Sequence, residues 1–501
     1  MTDYALALDD AMPGRELRAR WSVTGRLRLE TATHLGGEGT DRVDMQVLRD
    51  PRGGGPLLPG TTLAGALRSA LADRLAGYGG GETEAVAALF GGARGDDDGV
   101  QSPTITFDAL GELPRELGVE IRDGVTISPD SGTAEDHKKY DYEVLPAGTS
   151  FPVRVDLLVP EGADERRLLE LLATSLDALS HGEMAFGAKR SRGLGRVRAA
   201  WAARRFDLGS REGWLEWVRS DHEDPVGGSV NRTAPLDALN AALPDELAPL
   251  SLLDDARQRV VLDLELTTAC DILVRSPGTE PGAADVSHLS SGGKPVLPGT
   301  SLAGVIRAQA TRIARLVRNG QPDADRWIDR LFGPRFEGRH PAAGHQPCAS
   351  RLRVGEATVE GSRARRQIRI AVDRFTQGVI PTALFDEQTE VGGRVSIRLE
   401  LRDPKDGELG LVLLVLKDLL DGRLPVGGTS GVGRGVLAGT AVVTFYGGLG
   451  APPRTARLEP GCLPSGDAAD AVAEAIRQFN DVPPTVGGDI GPTTGRSGGV
   501  S

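Results

Sequence analysis

From Trp21 to Thr33 (WSVTGRLRLETAT) apolar and polar residues alternate with a period of two, which predicts a strand with one buried face. The same alternation returns at Val260 to Thr268 (VVLDLELTT). After each run comes a glycine-containing loop, then a segment of helical period. In the first, Leu63, Ala66, Leu67, Ala70 and Leu71 share one face, with Thr61 or Thr62 placed to cap the start. In the second, Leu302, Val305, Ile306 and Ile313 form the equivalent stripe, and Arg307, Arg312, Arg315 and Arg318 lie elsewhere on the surface. The longest apolar stretch, Leu409 to Leu416, is about half of what spans a bilayer.

These patterned regions are copies of one another. Residues 58–68 read LPGTTLAGALR and residues 297–307 read LPGTSLAGVIR. Leu89-Phe90-Gly91-Gly92 is echoed by Leu331-Phe332-Gly333-Pro334, and GAKRSRGLGR at 187–196 by GGTSGVGR at 427–434. Three landmarks in one order at nearly constant offset predict a tandem repeat. The expected division is a first domain at 18–205 and a linker with short helices at 206–257. A second domain at 258–447 and a Gly/Pro/Ser/Thr-rich flexible tail at 448–501 complete it. Within the linker, Arg211 to Arg219 and Leu236 to Leu243 read as helices. Each copy runs strand, loop, helix, further strands, then a glycine turn into a closing strand. That order predicts an α+β fold, a ferredoxin-like sheet in each copy.

Composition narrows the class. With 501 residues, 39% hydrophobic and 26% charged, the chain is globular and not disordered. Its 67 glycines follow no three-residue period, which excludes collagen and assigns them to turns and close backbone approach. Cys270, Cys348 and Cys462 are far apart and form no CxxC pair, so neither a disulfide framework nor a cysteine zinc site is expected. The start, MTDYA, has no basic and apolar leader, and a cytoplasmic location is expected. A net charge of −12 argues against broad, non-specific nucleic-acid binding and shifts attention to local patches.

Three segments carry candidate chemistry. In Ala185 to Arg196, glycines let backbone N–H groups approach a phosphate chain while Lys189, Arg190, Arg192 and Arg196 supply countercharge. The plain alternative is a bulged turn with solvated basic residues. No GxxxxGK[ST] exists, so a nucleic-acid backbone is a better ligand than a nucleotide. The second copy keeps only Arg434 here but concentrates Arg351, Arg353, Arg363, Arg365, Arg366, Arg369 and Arg374 in a second basic run. Third, the loop THLGGEGTDRVDMQVLRDPRGGGPLLPG holds His34, Glu38, Asp41, Asp44 and Asp50 among glycines. Carboxylates on a loop beside a phosphate groove suit a hard divalent ion shared with a phosphodiester. Aromatics are only 4%, so base stacking is not the main device.

With these motifs assembled, the chain resembles the RAMP superfamily of CRISPR-associated proteins. Its likeness is to the Csm3/Cmr4 group of Cas7-type backbone subunits of type III effector complexes. The resemblance rests on His34-Leu35-Gly36-Gly37, on Val43-Asp44 through Arg49-Asp50-Pro51, on Leu58 to Arg68, and on Gly187 to Arg196. It covers residues 20–200 and again 260–445, and a fused pair is similar to the double-Cas7 proteins of type III-D-like systems. The resemblance implies RRM-like modified ferredoxin folds that bind CRISPR RNA and complementary target RNA alongside other effector subunits, with no membrane partner. It implies β-hairpin thumbs at about 125–150 and 370–393, and metal-dependent target cleavage, with Mg²⁺ or another divalent cation, at the aspartate matching Asp44. Asp285 (in ADVSHLSSGGKPVLPG) aligns with Asp44 only across a two-residue gap. His34-Leu35-Gly36-Gly37 is matched by Asp271-Ile272-Leu273-Val274. The expected RNA-binding residues are His34, Arg68, Lys189, Arg190, Arg192, Arg196, Arg307, Arg366, Arg374 and Arg434, and the expected catalytic and metal-holding pair is Asp44 and Asp285. The alternatives are a catalytically inactive guide-RNA scaffold, a RAMP endoribonuclease that processes the transcript with His34 as base, and an assembly adaptor that binds no RNA.

Overall fold

The computed structural model describes residues 16–37, 39, 43–92, 101–128, 133–227, 232–277, 282–317, 323–334, 336–337, 340–341, 347–405 and 407–481. It divides into two compact units: the first is the chain up to Arg257 together with Ser290–Lys294 and Gly447–Ala451, and the second comprises Gln258–Leu289, Pro295–Tyr446 and the chain from Pro452.

In the first unit β1 (Leu17–Leu29) leads to α1 (Gly60–Ala76) and α2 (Glu84–Phe90). Next come β2 (Thr104–Thr106), the pair β3 (Glu120–Ile127) and β4 (Ala134–Val144), and then β5 (Ser150–Pro160). α3 (Glu165–Ser180) and β6 (Val197–Asp207) close the unit's sheet. The order is β2–β5–β1–β6, with all neighbours antiparallel and α1 and α3 in the two crossovers. That is the ferredoxin-like βαββαβ arrangement. The alternation in the first strand has its physical cause here: Ala19, Trp21, Val23, Leu27 and Leu29 are all buried. They pack with Leu63, Leu67 and Leu71 of α1 and Leu169, Leu172, Leu176 and Leu179 of α3. The linker supplies α4 (Arg211–Arg219) and α5 (Pro235–Ala241), and Leu239 of α5 joins the same core.

The second unit repeats this plan. β7 (Arg259–Thr268) is followed by α6 (Gly299–Val317), α7 (Asp323–Phe332), β8 (Leu352–Val354) and β9 (Ala357–Glu360). The pair β10 (Arg363–Val372) and β11 (Val379–Val391) precedes β12 (Arg394–Arg402), α8 (Glu408–Leu420) and β13 (Leu437–Tyr446). Strands β8 and β9 both pair with β12, which lies beside β7, which lies beside β13. The long apolar stretch from Leu409 falls in α8, whose buried residues include Leu411, Leu413, Leu416 and Leu419.

Two differences from expectation are instructive. Neither Thr61 nor Thr62 caps α1: Pro59 occupies the cap position, and the Gly60 N–H donates to Asp108 Oδ1 at 2.7 Å. Thr106 also donates its hydroxyl to the Gly60 carbonyl, and a Cβ on Gly60 would meet Thr106 O at 2.5 Å. The cap comes from Asp108, just past the end of β2, which local spacing does not reveal. The C-terminal segment expected as a flexible tail instead contains β14 (Arg454–Leu458), paired with β13, and α9 (Ala469–Asp481). Val472, Ala475 and Phe479 bury one face of α9, and Phe479 meets Trp327 at 5.1 Å. The helical spacing of those three residues was the available signal, outweighed by the glycines and prolines around it. Residues 482–501 lie outside the described residues.

A further repeat escapes the motif comparison. Glu165, first residue of α3, accepts hydrogen bonds from Trp21 Nε1 and Arg205 Nε, both at 2.8 Å. Glu408, first residue of α8, is fully buried between Arg330 (3.1 Å) and Arg351 (3.4 Å). In each unit a buried glutamate fastens the second helix, and a charge held this way is stable only while its partners remain.

Candidate nucleic-acid interface

The glycine segments superimpose residue on residue through their backbone. Lys189 and Thr429 both take left-handed φ (56° and 57°) before a short 3₁₀ turn, and Gly193 and Gly433 both end it. Gly187 lies against the His34 carbonyl, where a Cβ would approach to 2.0 Å, and Ala188 N–H donates to that carbonyl. Gly427 and Gly428 treat the Leu273 carbonyl in the same way. Gly195 N–H donates to Ala32 O, and Gly435 N–H to Asp271 O. His34-Leu35-Gly36-Gly37 therefore corresponds to Leu273 through Ser276, two residues beyond the expected Asp271-Ile272-Leu273-Val274. Likewise Arg434 stands in register with Leu194 and not with Arg196.

The long pairs β3–β4 and β10–β11 are hairpins whose described strands begin earlier than the predicted thumbs, at Glu120 and Arg363. Residues 129–132, at the tip of the first, lie outside the described residues. The second hairpin exposes Ile368, Ile370, Val372, Phe375, Val379, Leu384 and Phe385, with Phe375 91% exposed. The basic run at 351–374 is thus largely strand, not loop.

At the foot of the first hairpin a loop strand runs parallel to β4, Met45 opposite Tyr142. Asp44 N–H donates to Asp141 Oδ1 (2.8 Å) while Asp141 N–H donates to Asp44 Oδ2 (3.0 Å). In the second unit Val286 pairs in parallel with Glu387, and Asp386 N–H donates to Asp285 Oδ2 (3.2 Å). Asp285 therefore occupies the place of Asp44, which bridges the sequence gap. Both are exposed. The surroundings differ, because Arg366 holds the Asp386 carboxylate in a forked ion pair and keeps it below the usual aspartate range. Among the described residues no cation pairs with Asp44 or Asp141, and no group of three or more His, Cys, Asp or Glu could cage a metal. A carboxylate pair on an open loop suits a hydrated divalent ion that takes its remaining ligands from a phosphate, not a protein-made cage.

Behind Asp44 the loop is pinned. Glu143 accepts from Val47 N–H (3.0 Å) and from both terminal nitrogens of Arg49 (2.8 and 3.1 Å). Burial raises the Glu143 carboxyl, but the Arg49 and Val47 bonds outweigh it and hold the group below its ordinary value. Asp50 accepts from Gly53 N–H and closes a turn. Glu38 and Asp41 lie outside the described residues.

The basic candidates separate by how their charge is met. His34 is buried, its Nδ1–H donating to Glu143 O at 2.7 Å with its ring edge-on to Tyr142. Arg68 pairs with Glu82 and reaches Phe90 O, while Arg307 lies 3.6 Å from Asp329, so both fasten helix to helix. Arg196 pairs with Glu30 at 3.0 Å. Arg434 is buried, donating to Glu387 (2.8 Å), Gln367 (2.7 Å) and Thr429 (3.2 Å). Arg190 and Arg374 are exposed. Lys189 donates to Tyr140 OH at 2.9 Å, and its ammonium sits 3.4 Å from the centre of the Tyr142 ring. Burial, with Arg192 and Arg122 beside it, brings that ammonium down to about 7. The two tyrosines and Arg122, which sequence reading did not select, complete this cluster; they lie on hairpin strands far from the glycine segment in the chain.

The RAMP superfamily profile matches the chain twice, over residues 26–198 and 265–438. No curated protein matches it. Among the described residues no helix is long and apolar enough to cross a membrane.

Proposed function

The chain belongs to the RAMP superfamily, and on that premise we propose that it is a CRISPR RNA-binding backbone subunit of a type III effector complex. In this reading two Cas7-type bodies are fused in one polypeptide and cleave guide-paired target RNA at Asp44 and Asp285. The observation that carries it is the recurrence, in both units, of an exposed aspartate interlocked with the foot of an apolar hairpin. A two-stranded ribbon exposing Ile368, Ile370, Phe375 and Leu384 has no core of its own to join. Apolar wedges of this kind insert between bases and unstack them. The hairpin then sets where the RNA backbone bends, and the aspartate beneath it faces that phosphate. Asp44 and Asp285 would hold a divalent ion there, which would polarise the phosphate and stabilise charge building on its oxygens. Asp141 holds the Asp44 backbone in place through its carboxylate, and Asp386 meets Asp285 from the same side.

The inactive-scaffold reading is favoured for one half only. Arg366 already occupies the Asp386 carboxylate, which leaves the second unit less free acidic charge for a metal. The test is cleavage of guide-complementary RNA by the reconstituted complex with Mg²⁺. Asp44→Ala should remove one cut, its rate falling at least about a hundredfold, and Asp285→Ala should remove another, weaker cut. Unchanged cutting by the double variant, with RNA still bound, would leave the protein a scaffold.

A further inference from the structure

The two units treat one place on their helices differently. In the second, Trp327 of α7 is buried against the start of α8, and Phe479 of α9 covers it at 5.1 Å between ring centres. The fit is tight: a Cβ on Gly407 would meet the Trp327 ring at 2.6 Å, and one on Gly410 would meet Ala475 O of α9 at 2.1 Å. Hydrogen bonds identify the matching residues of the first unit. Gly91 N–H closes α2 on Ala87 O as Gly333 N–H closes α7 on Asp329 O, so Ala85 stands where Trp327 does. His181 N–H closes α3 on Asp177 O as Asp421 N–H closes α8 on Lys417 O, so Arg167 stands where Gly407 does. Between α2 and α3 the aromatic filling gives way to a groove of about 400 Å³. Ala85, Ala88, Pro103, Pro160, Leu168 and Leu171 line it. Helices α4 and α5, which follow the closing strand as α9 does, pack on β6 instead.

Strand β1 begins at the rim of this groove. Leu17 pairs with Pro160, and Glu161 N–H donates to Glu16 O at 2.9 Å. Residues 1–15 lie outside the described residues, and their sequence carries the signals of a short amphipathic helix. Asp3 is a capping residue type, Tyr4, Leu8, Ala11 and Met12 recur at i, i+4, i+7 and i+8, and Pro13-Gly14 ends the period. So short a helix does not hold by itself in water and needs an apolar surface to pack on. In the second unit Val472, Ala475 and Phe479 of α9 present a stripe of this kind to the matching helices. We infer that Tyr4 to Met12 seats as a helix in the α2–α3 groove of its own chain, filling in the first unit the place that Trp327 and α9 fill in the second. Pro13, Gly14 and Arg15 reach up to about 10 Å, enough to turn from the start of β1 onto the groove. Tyr4 and Leu8 supply the apolar volume that Ala85 leaves unfilled. The inference stands apart from RNA binding, since the groove uses neither the hairpin nor the glycine turn.

The experiment follows the release of residues 1–15 from the full chain by trypsin, read by mass spectrometry. A seated helix ending at Met12 and a strand starting at Leu17 leave Arg15 in a span too short for a protease to hold extended. Release then tracks the fraction of chains whose segment is undocked. Leu8→Asp, on the apolar stripe, should speed release at least about tenfold. Leu6→Asp, off the stripe of the same segment, should stay within about twofold of wild type. Neither change touches the folded unit. Ala88→Lys puts a charged chain into the groove from an exposed helical position four residues after Glu84, which keeps the helix, and should speed release as Leu8→Asp does. Equal release from wild type and Leu8→Asp, equal effects of Leu6→Asp and Leu8→Asp, or indifference to Ala88→Lys overturns the docking.

Protein concentration separates the two sources of the segment. Protection that survives dilution by about a hundredfold keeps the segment on its own chain. Protection lost on dilution makes the occupant the same segment of a second copy and overturns docking within one chain.

Discussion

Gly435 and Gly433 stand two residues apart, both with left-handed φ, 80° and 83°. They differ in what surrounds the missing Cβ. At Gly435 it would sit 2.1 Å from Val426 O; at Gly433 it would meet nothing within 4 Å. Gly433→Ala should therefore carry only the left-handed strain, roughly 1–2 kcal/mol, while Gly435→Ala adds a backbone clash that moves the whole turn. Urea unfolding should show the second loss at least about twice the first. Equal losses would mean that the close approach contributes nothing. The glycines were plain in the sequence, but which of them touch backbone was not, because Val426 approaches through a fold-dependent pairing. The same limit explains the two-residue displacement of the His34 motif in the second unit. Ladder bonds from Gly428 and Gly435, not residue similarity, decide that Leu273 is the counterpart of His34.

Elements whose apolar pattern is self-sufficient were legible. The period of two marked β1 and β7, and the stripes of α1 and α6 fell where Leu63, Leu67 and Leu71, and Leu302 and Ile306, are buried. Elements that borrow from elsewhere were not. Helix α1 takes its cap from Asp108, forty-eight residues from Gly60. Asp108→Ala should destabilise the first unit by about 1 kcal/mol, whereas Thr61→Ala and Thr62→Ala should stay within about 0.5 kcal/mol. Thermal or urea unfolding of the three variants checks this, and a larger loss at either threonine would return the cap to the chain's own sequence. The hairpins were located by resemblance: Ile368, Ile370 and Val372 of β10 alternate but are exposed, while Val379, Ile380, Leu384 and Phe385 of β11 are exposed on both faces, so neither strand carries the pattern of a strand with one buried face.

Over the whole molecule, a net charge of −12 has to be reconciled with RNA binding. The answer lies in how many cations are already satisfied. The basic run in the second unit looked like a phosphate track, yet Arg351 serves Glu408, Arg365 pairs with Asp271, Arg366 with Asp386, and Arg369 lies 3.8 Å from Glu387. With Arg434 also internal, the cations lacking a carboxylate partner among the described residues of these segments are Lys189, Arg190, Arg192, Arg363 and Arg374. Each phosphate neutralised on a single strand contributes about −0.7 to the slope of log affinity against log salt. Five such contacts give a slope of about −3.5, and recruiting the four paired arginines would steepen it beyond about −6. Binding of a short single-stranded RNA to the full chain, followed across salt concentrations, should give the shallower value, and Lys189→Met should reduce it by about 0.7. A slope beyond −6 would mean that the hairpin ion pairs open to take phosphate, making the acidic residues of the second unit a latch over its RNA-binding face. The shallower slope would mean instead that its paired arginines stiffen the hairpin and aim it, leaving the grip on the backbone to Lys189, Arg190 and Arg192 of the first unit with Arg363 and Arg374 of the second.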